Sequence, residues 1–192
     1  MYRISIFRLV VCLSVLAVLS FFVSCNRNIR KELKRMIDYE ITIPHLHHAI
    51  FNGKDTVMHF SNEASVRMIV LYDSTFCASC HLPNMKIWDE VIEYSKATQS
   101  KFEPIFIFSP KQDEIASLKQ GLRDNMYEWP FFIDENGDFL KKNTVIPQDS
   151  RFHVFLLNSE NKIILVGNPL NNETIWNMYK ELITINTDFN VD

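Results

Sequence analysis

The feature that most constrains the fold of this chain is an apolar run that ends close to a pair of cysteines. Residues 66–72 are apolar except for Arg67, and Cys77 and Cys80 follow shortly after. A continuous apolar run of this length predicts a central strand that is buried on both faces. Apolar residues recur at helical spacing after Cys80, so the pair stands between a strand and a helix. This arrangement points to dithiol–disulfide chemistry.

The other two cysteines of the chain do not belong to its folded body. The chain has four cysteines, and Cys12 and Cys25 lie in or at the end of an N-terminal apolar segment. A disulfide that staples a fold stabilises most when it closes a long loop, whereas Cys77–Cys80 would close almost none. We therefore interpret the pair as reactive, and a purely structural or inert pair is the alternative.

The N-terminus has the pattern of an export signal. Arg3 and Arg8 precede residues 9–23, which are almost wholly apolar but short for a spanning helix. Ser24-Cys25 resembles a bacterial lipoprotein signal, which implies that residues 1–24 are removed and that Cys25 carries the lipid. An uncleaved anchor and cleavage elsewhere with release are the alternatives. Each outcome exports the body to the periplasmic or cell-surface face, where disulfides persist.

Composition indicates one globular domain without a nucleic-acid partner. Apolar residues make up 47% of the 192, including 15 Phe, which suits a real core. A net charge of −3 provides no basic footprint for nucleic acid. The basic stretch 27–35 has apolar residues at helical spacing, so residues 25–40 form either a short amphipathic helix at the bilayer or a solvated tether. We assign residues 41–192 to the folded domain.

The remaining pattern predicts an α/β fold with a mixed sheet. A hairpin of two short strands surrounds the turn 51–55 within residues 41–60. Further strands are predicted at 66–72, 103–108 and 130–134, helices at 82–98, 109–127 and 173–185, and a second hairpin from 152–157 and 162–166. Early crossover helices imply parallel strands, and the late hairpin implies an antiparallel edge.

This element order resembles the thioredoxin fold over roughly residues 51–185. The turn Asn52-Gly53-Lys54-Asp55 ahead of the redox strand is similar to the TlpA-like branch of membrane-anchored thiol–disulfide oxidoreductases. The resemblance implies a three-layer sandwich with a mixed central sheet and flanking helices. It also implies a redox-active Cys77–Cys80 disulfide that acts on the thiols and disulfides of partner proteins without a cofactor. The upstream redox partner and the direction of electron flow stay open.

Three positions depart from the pattern of that family. Phe76 stands where a tryptophan is usual, Ala78-Ser79 replaces Gly-Pro or Pro-Pro, and Phe152 falls where a cis-proline usually faces the cysteines. These differences bear on substrate docking and on the reduction potential, whereas the dithiol itself is retained.

The resemblance assigns distinct roles to the two cysteines. Cys77 attacks as the thiolate, favoured at the start of the following helix, and Cys80 resolves the mixed disulfide. Arg151 and His153 flank the position that faces the pair, where a cation would lower the pKa of the thiol; the alternative is that both point to solvent. Asp73 is either a proton acceptor for Cys80 or a turn residue at the strand end.

Several other functions share parts of this pattern. His81 completes a Cys-x-x-Cys-His haem attachment string, although a strand leading into an α/β body argues against haem. Two thiolates with His153 suit copper. Ser74 stands where a peroxiredoxin-like peroxidase has threonine. His45-Leu46-His47-His48 is a second metal candidate, but no acid or further cysteine lies nearby in sequence, which favours a polar strand or loop. We predict no metal site.

A different class is a non-catalytic, thioredoxin-like lipoprotein that binds a partner. Its interaction face would use large aromatic residues, namely Trp88, Trp129, Trp176 and Phe131-Phe132. We expect these residues to lie in the core instead, because they recur at positions that helices and strands bury.

Overall fold

The computed structural model describes residues 28–44, 46–61, 64–75, 82–170 and 172–187. The chain divides into two compact units, Met1–Arg35 and Met36–Asp192. Residues 28–36 are helical, and an ion pair of 2.8 Å between Glu32 and Arg35 spans one turn. A short helix therefore follows the N-terminal segment. Among the described residues, none of the helices combines the length and apolarity that crossing a bilayer requires.

Seven strands of the second unit form one mixed sheet. They are β1 (His48–Phe51), β2 (Lys54–Val57), β3 (Val66–Tyr72), β4 (Phe102–Phe108), β5 (Phe131–Ile133), β6 (Val154–Leu157) and β7 (Ile163–Val166). Their order across the sheet is β2-β1-β5-β4-β3-β6-β7. β3, β4 and β5 are parallel neighbours, and every other pairing is antiparallel. The mixed α/β sheet predicted from the sequence is confirmed.

The first hairpin is shorter than its predicted range. β1 and β2 are joined by Asn52 and Gly53, whose φ angles of 51° and 71° match the two-residue turn that Asn-Gly favours. A Cβ on Gly53 would lie 2.8 Å from the carbonyl oxygen of Arg123, so glycine is required there. Residues 41–44, 46 and 47 are not in a strand. The chain before β1 runs instead beside the second hairpin, where Glu40 bridges to Lys162.

In the described part of the second unit, three α-helices and three 3-10 segments lie between strands, and a fourth α-helix follows β7. The helices are α1 (Asp89–Ala97), α2 (Ile115–Asn125), α3 (Asp138–Lys142) and α4 (Glu173–Thr187), and the 3-10 segments are Leu82–Trp88, Gln112–Glu114 and Ser150–Phe152. The helix expected from residue 82 is thus a 3-10 segment up to Trp88. Its buried residues Leu82, Met85 and Trp88 recur every third position, which is the repeat of a 3-10 helix. α3 has no counterpart in the prediction.

The second hairpin also starts later than expected. Phe152 ends a 3-10 turn and His153 follows it, so neither belongs to β6. The turn is stabilised by Asp149, whose carboxylate accepts a hydrogen bond from the backbone N–H of Arg151. This local capping displaces the strand that the apolar pattern of residues 152–157 indicated.

Helices α1, α2 and α4 share one face of the sheet. Buried residues of all three join a single core with alternate residues of β3, among them Val70 and Tyr72. α1 and α2 lie on the same face because the crossovers β3–β4 and β4–β5 step in the same direction across the sheet, and such crossovers are right-handed. The intervening residues Ile69 and Leu71 are buried as well, so the other face of the sheet is also covered.

Candidate functional site

The candidate site lies at the carboxyl end of the central strand β3. Tyr72 ends this strand, Asp73 and a turn at residues 74–75 follow, and the structure is described again from Leu82. Phe76, Cys77, Cys80 and His81 lie outside the described residues, as does Cys25.

A buried hydrogen bond joins the two flanks of the cysteine-bearing segment. The indole Nε1–H of Trp88 donates to the hydroxyl oxygen of Tyr72 at 2.7 Å, and the Tyr72 ring stacks on Phe108 with centroids 4.8 Å apart. Burial raises the pKa of the Tyr72 hydroxyl to about 12, although the bond from Trp88 acts in the opposite direction. The hydroxyl is therefore a neutral anchor that holds the strand end against the 3-10 segment.

A cleft of about 180 Å³ opens beside this anchor. Four parts of the chain line it: the end of β3, the 3-10 segment 82–88, the turn before β6 and the loop after β7. The lining residues are Val70, Leu71, Tyr72, Asp73, Met85, Ile87, Trp88, Ser150, His153, Val154, Asn168 and Leu170. The cleft is therefore lined both by residues that precede and by residues that follow the cysteine-bearing segment 76–81, and it has a mainly apolar wall with a few polar groups.

His153 is the titratable ring in this cleft. Its side chain is buried, at 2% exposure, and its Nε2 lies 2.9 Å from the carbonyl oxygen of Pro147. Because a carbonyl only accepts, Nε2 carries the hydrogen of this bond, and Nδ1 is the acceptor of the neutral ring. The backbone carbonyl of His153 accepts from the N–H of Leu71, which fixes the residue beside β3.

Arg151, the second predicted cation, faces solvent. Its guanidinium binds Asp149 through Nε and Nη2, and hydrogen bonds from Arg151 hold the pKa of that carboxyl below its usual range. Phe152 between the two cations is buried, and the peptide bonds of the described residues are all trans. The structure thus separates the two residues: His153 lines the cleft, and Arg151 makes a surface ion pair.

Asp73 serves as the turn residue at the strand end. Its Oδ1 accepts hydrogen bonds from the backbone N–H and the hydroxyl of Thr75, at 3.0 and 2.6 Å. The side chain is almost fully buried and lines the cleft. The turn uses one carboxylate oxygen, so the second oxygen is the one available to a proton donor.

Sequence reasoning missed part of this site. Tyr72 was recognised as a strand residue but not as a partner of Trp88, and the cleft residues Ser150 and Asn168 were not singled out. Ser150 begins a 3-10 turn and Asn168 lies in a loop. The position of both depends on distant strands, and a single sequence carries no signal for such contacts. The aromatic residues behave as expected of core, since Trp88 and Trp176 are buried, and the indole of the half-buried Trp129 donates to the carbonyl of Pro104.

The second metal candidate is only partly described. His45 lies outside the described residues, and His48 is exposed, whereas His47 contacts His59. Within the parts of the chain that the structure describes, His, Cys, Asp and Glu side chains form no group of three or more suited to a metal ion.

Comparison with known proteins finds similarity to solved structures at low identity. No protein-family model and no curated protein matches the sequence. The exposed lipoprotein thioredoxin of Streptococcus pneumoniae is similar at 16% identity and a TM-score of 0.48, over 69% of this chain and 97% of that chain. A thioredoxin-like protein from Porphyromonas gingivalis is similar at 14% identity and a TM-score of 0.48, over 79% and 96% of the two chains.

A third structure, from Chlorobium tepidum, is provisionally described as a thiol:disulfide interchange protein. It is 16% identical, with a TM-score of 0.47, over 70% of this chain and 92% of that chain. Such likeness does not assign an activity. The strand order is the decisive observation: α1 joins parallel β3 and β4, the hairpin β6–β7 pairs with β3, and α4 ends the domain. The fold is thioredoxin-like.

Proposed function

We propose that this protein is an exported, lipid-anchored thiol–disulfide oxidoreductase that acts on partner proteins through Cys77 and Cys80, without a cofactor. The observation that carries the proposal is the position of the pair in the chain. The pair follows the carboxyl end of the central parallel strand in sequence, and ligands bind at this end of the strands in open α/β sheets. The residues before and after the pair line a cleft together with His153. A short loop closed by this pair would add little stability, which favours a reactive role.

The exchange proceeds in two balanced steps. The Cys77 thiolate attacks one sulfur of a partner disulfide, forming a mixed disulfide and releasing the partner's other sulfur as a thiolate. The Cys80 thiolate then attacks the Cys77 sulfur, which forms the Cys77–Cys80 disulfide and releases the partner's second thiolate. Two electrons pass from the dithiol to the partner, and the reverse sequence oxidises a partner dithiol.

Two side chains of the cleft are suited to proton handling in these steps. The Nδ1 of His153 is the acceptor of the neutral ring, because Nε2–H donates to Pro147. A protonated ring at this place would favour a neighbouring thiolate. The second carboxylate oxygen of Asp73 is the candidate acceptor for the proton of Cys80. Arg151 contributes less in this proposal, because Asp149 already balances its charge.

The test combines a variant of each cysteine with a control substitution at Ser79, which lies between them in the sequence. Cys77→Ser abolishes insulin reduction in the presence of dithiothreitol, because it removes the attacking sulfur. Cys80→Ser accumulates a mixed disulfide with the natural partner, because the second step is blocked. Ser79→Ala retains both thiols and stays active. The mechanism is contradicted if the Cys77→Ser variant still reduces insulin. It is also contradicted if the wild type is active but the Cys80→Ser variant captures no partner in cells.

The anchoring part of the proposal rests on the N-terminal sequence. Residues 1–24 act as the signal peptide, Cys25 bears the lipid, residues 25–40 form the tether with its short helix, and residues 41–192 form the thioredoxin-like domain. Cys25→Ala removes the acylation site, so labelled fatty acid no longer enters the protein. Equal labelling of the variant and the wild type would refute lipid attachment at Cys25.

A non-catalytic binding lipoprotein is the second candidate, and one observation favours it. The turn before β6 is a 3-10 segment with trans peptide bonds. In the family that this chain resembles, the same position holds a cis-proline on which the substrate docks. The two candidates differ in one measurement: the binding protein retains partner capture when both cysteines are replaced by serine, whereas the oxidoreductase loses it.

A further inference from the structure

Two histidines that are far apart in sequence meet at the first hairpin. His47 precedes β1 and His59 follows β2, and their ring centroids are 4.9 Å apart at an interplanar angle of 68°. The hairpin pairing continues past the strands, because the N–H of Met58 donates to the carbonyl of His47 at 2.9 Å. The backbone of the hairpin therefore holds the two imidazoles in an edge-to-face contact.

The separation of the two rings suits coordination of one metal ion. A metal–nitrogen bond to imidazole is about 2.0–2.1 Å, which places the ion about 3.2 Å from each ring centre. At that distance, two centroids 4.9 Å apart subtend an angle of about 100° at the ion, between the 90° of square-planar and the 109° of tetrahedral coordination. The side chain of His59 is exposed, so rotation about its torsions can direct a nitrogen to the shared ion.

The surroundings leave room for further ligands. His47 and His59 line a cavity of about 310 Å³ together with Phe60, Arg67 and Asn161. The guanidinium of Arg67 is the adverse feature, and the carboxylate of Glu103, 3.8 Å from its Nε, balances that charge. A cation is therefore tolerated, and an anionic exogenous ligand would be favoured beside the arginine.

The pair also lies away from the proposed redox centre. Arg67 stands near the amino end of β3 and Asp73 follows its carboxyl end, which are about 20 Å apart at about 3.3 Å per residue. A ligand at the histidine pair is therefore distinct from any ion that thiolates would bind.

We propose that His47 and His59 form a two-histidine binding site for a divalent first-row transition-metal ion, with water or an exogenous anion completing the coordination. Imidazole suits copper, nickel and zinc, and Cu²⁺ binds most tightly in this series. The sequence favoured a polar strand or loop for this region because it showed no further ligand near His47. His59 becomes its neighbour only through the hairpin.

Copper titration of the untagged full chain in detergent tests the site. The parent protein carries serine in place of all four cysteines, Cys12, Cys25, Cys77 and Cys80, so that thiols neither bind nor reduce the ion and the outcome is independent of the proposed exchange activity. Calorimetry with Cu²⁺ gives the affinity, and electron paramagnetic resonance gives the number of coordinating nitrogens. His59→Ala weakens binding at least about tenfold and removes one nitrogen coupling, whereas His48→Ala, at a neighbouring exposed histidine, changes neither.

Three results would overturn the proposal. In the first, His59→Ala binds Cu²⁺ as tightly as the parent. In the second, His48→Ala loses as much affinity as His59→Ala, which indicates diffuse binding. In the third, the parent binds no better than a variant that lacks both His47 and His59. His59 is exposed, so its removal should leave the melting temperature of the metal-free protein unchanged, which separates lost binding from misfolding.

Discussion

Replacing Tyr72 with phenylalanine removes the hydroxyl that accepts the indole hydrogen bond of Trp88. This bond is 2.7 Å long, and Trp88 is only 1% exposed. In Tyr72→Phe, the indole N–H is left in the core without that acceptor, which costs about 1–3 kcal/mol of unfolding free energy. The stacking of the ring on Phe108 is retained, because phenylalanine keeps the same plane and nearly the same volume.

Urea unfolding of the reduced protein measures this cost. A slope of about 2 kcal/mol per molar urea converts a loss of about 2 kcal/mol into a fall of about 1 M in the unfolding midpoint. A double-mutant cycle with Trp88→Phe isolates the bond from the packing of the indole, and we expect a coupling free energy of about 1 kcal/mol. Tyr94→Phe serves as the control, since that partly buried ring packs against Phe102 and Trp176 and its hydroxyl makes no hydrogen bond within the described residues.

The reasoning fails if the two substitutions are additive to within about 0.3 kcal/mol. It also fails if Tyr94→Phe destabilises the protein as much as Tyr72→Phe. The cycle matters for function as well, because Tyr72 precedes and Trp88 follows the cysteine-bearing segment. A coupled pair would mean that the flanks of this segment are held together before any substrate binds.

Two further predictions concern ionisable groups. Burial raises the pKa of Glu103 above its ordinary value, although the N–H of Ser61 and the charge of Arg67 oppose the rise. The unfolded chain therefore loses this proton at a lower pH than the folded protein does. The free energy of unfolding consequently falls as the pH rises from about 4. Glu103→Gln should flatten that part of the profile in urea unfolding, and identical profiles would refute the assignment. His153→Ala should raise the pKa of the Cys77 thiol more than Arg151→Ala does. The pH dependence of Cys77 alkylation measures this pKa in each variant. If Arg151→Ala raised it more, His153 would have no part in the proposed proton chemistry.

Local patterns in the amino-acid sequence were enough to predict several elements of the fold. The apolar runs that became β3 and β4 are buried on both faces, because other parts of the chain cover both faces of the sheet at its centre. The Asn52-Gly53 turn is readable because few other residue pairs accept two positive φ angles. The last helix is also readable, since its buried face, which includes Trp176, Tyr179 and Ile183, repeats at helical spacing.

Two differences from the predicted elements are local: capping by Asp149 places Phe152 and His153 in a turn where the apolar pattern indicated a strand, and buried residues three apart make a 3-10 segment of the expected helix start. Contacts between segments that are distant in the chain depend on the tertiary structure. Only the assembled core brings Trp88 to Tyr72. Apolar periodicity reports which side of an element is buried, whereas the identity of its neighbours follows from the order of the strands and the direction of the crossovers, and a local pattern does not encode either one.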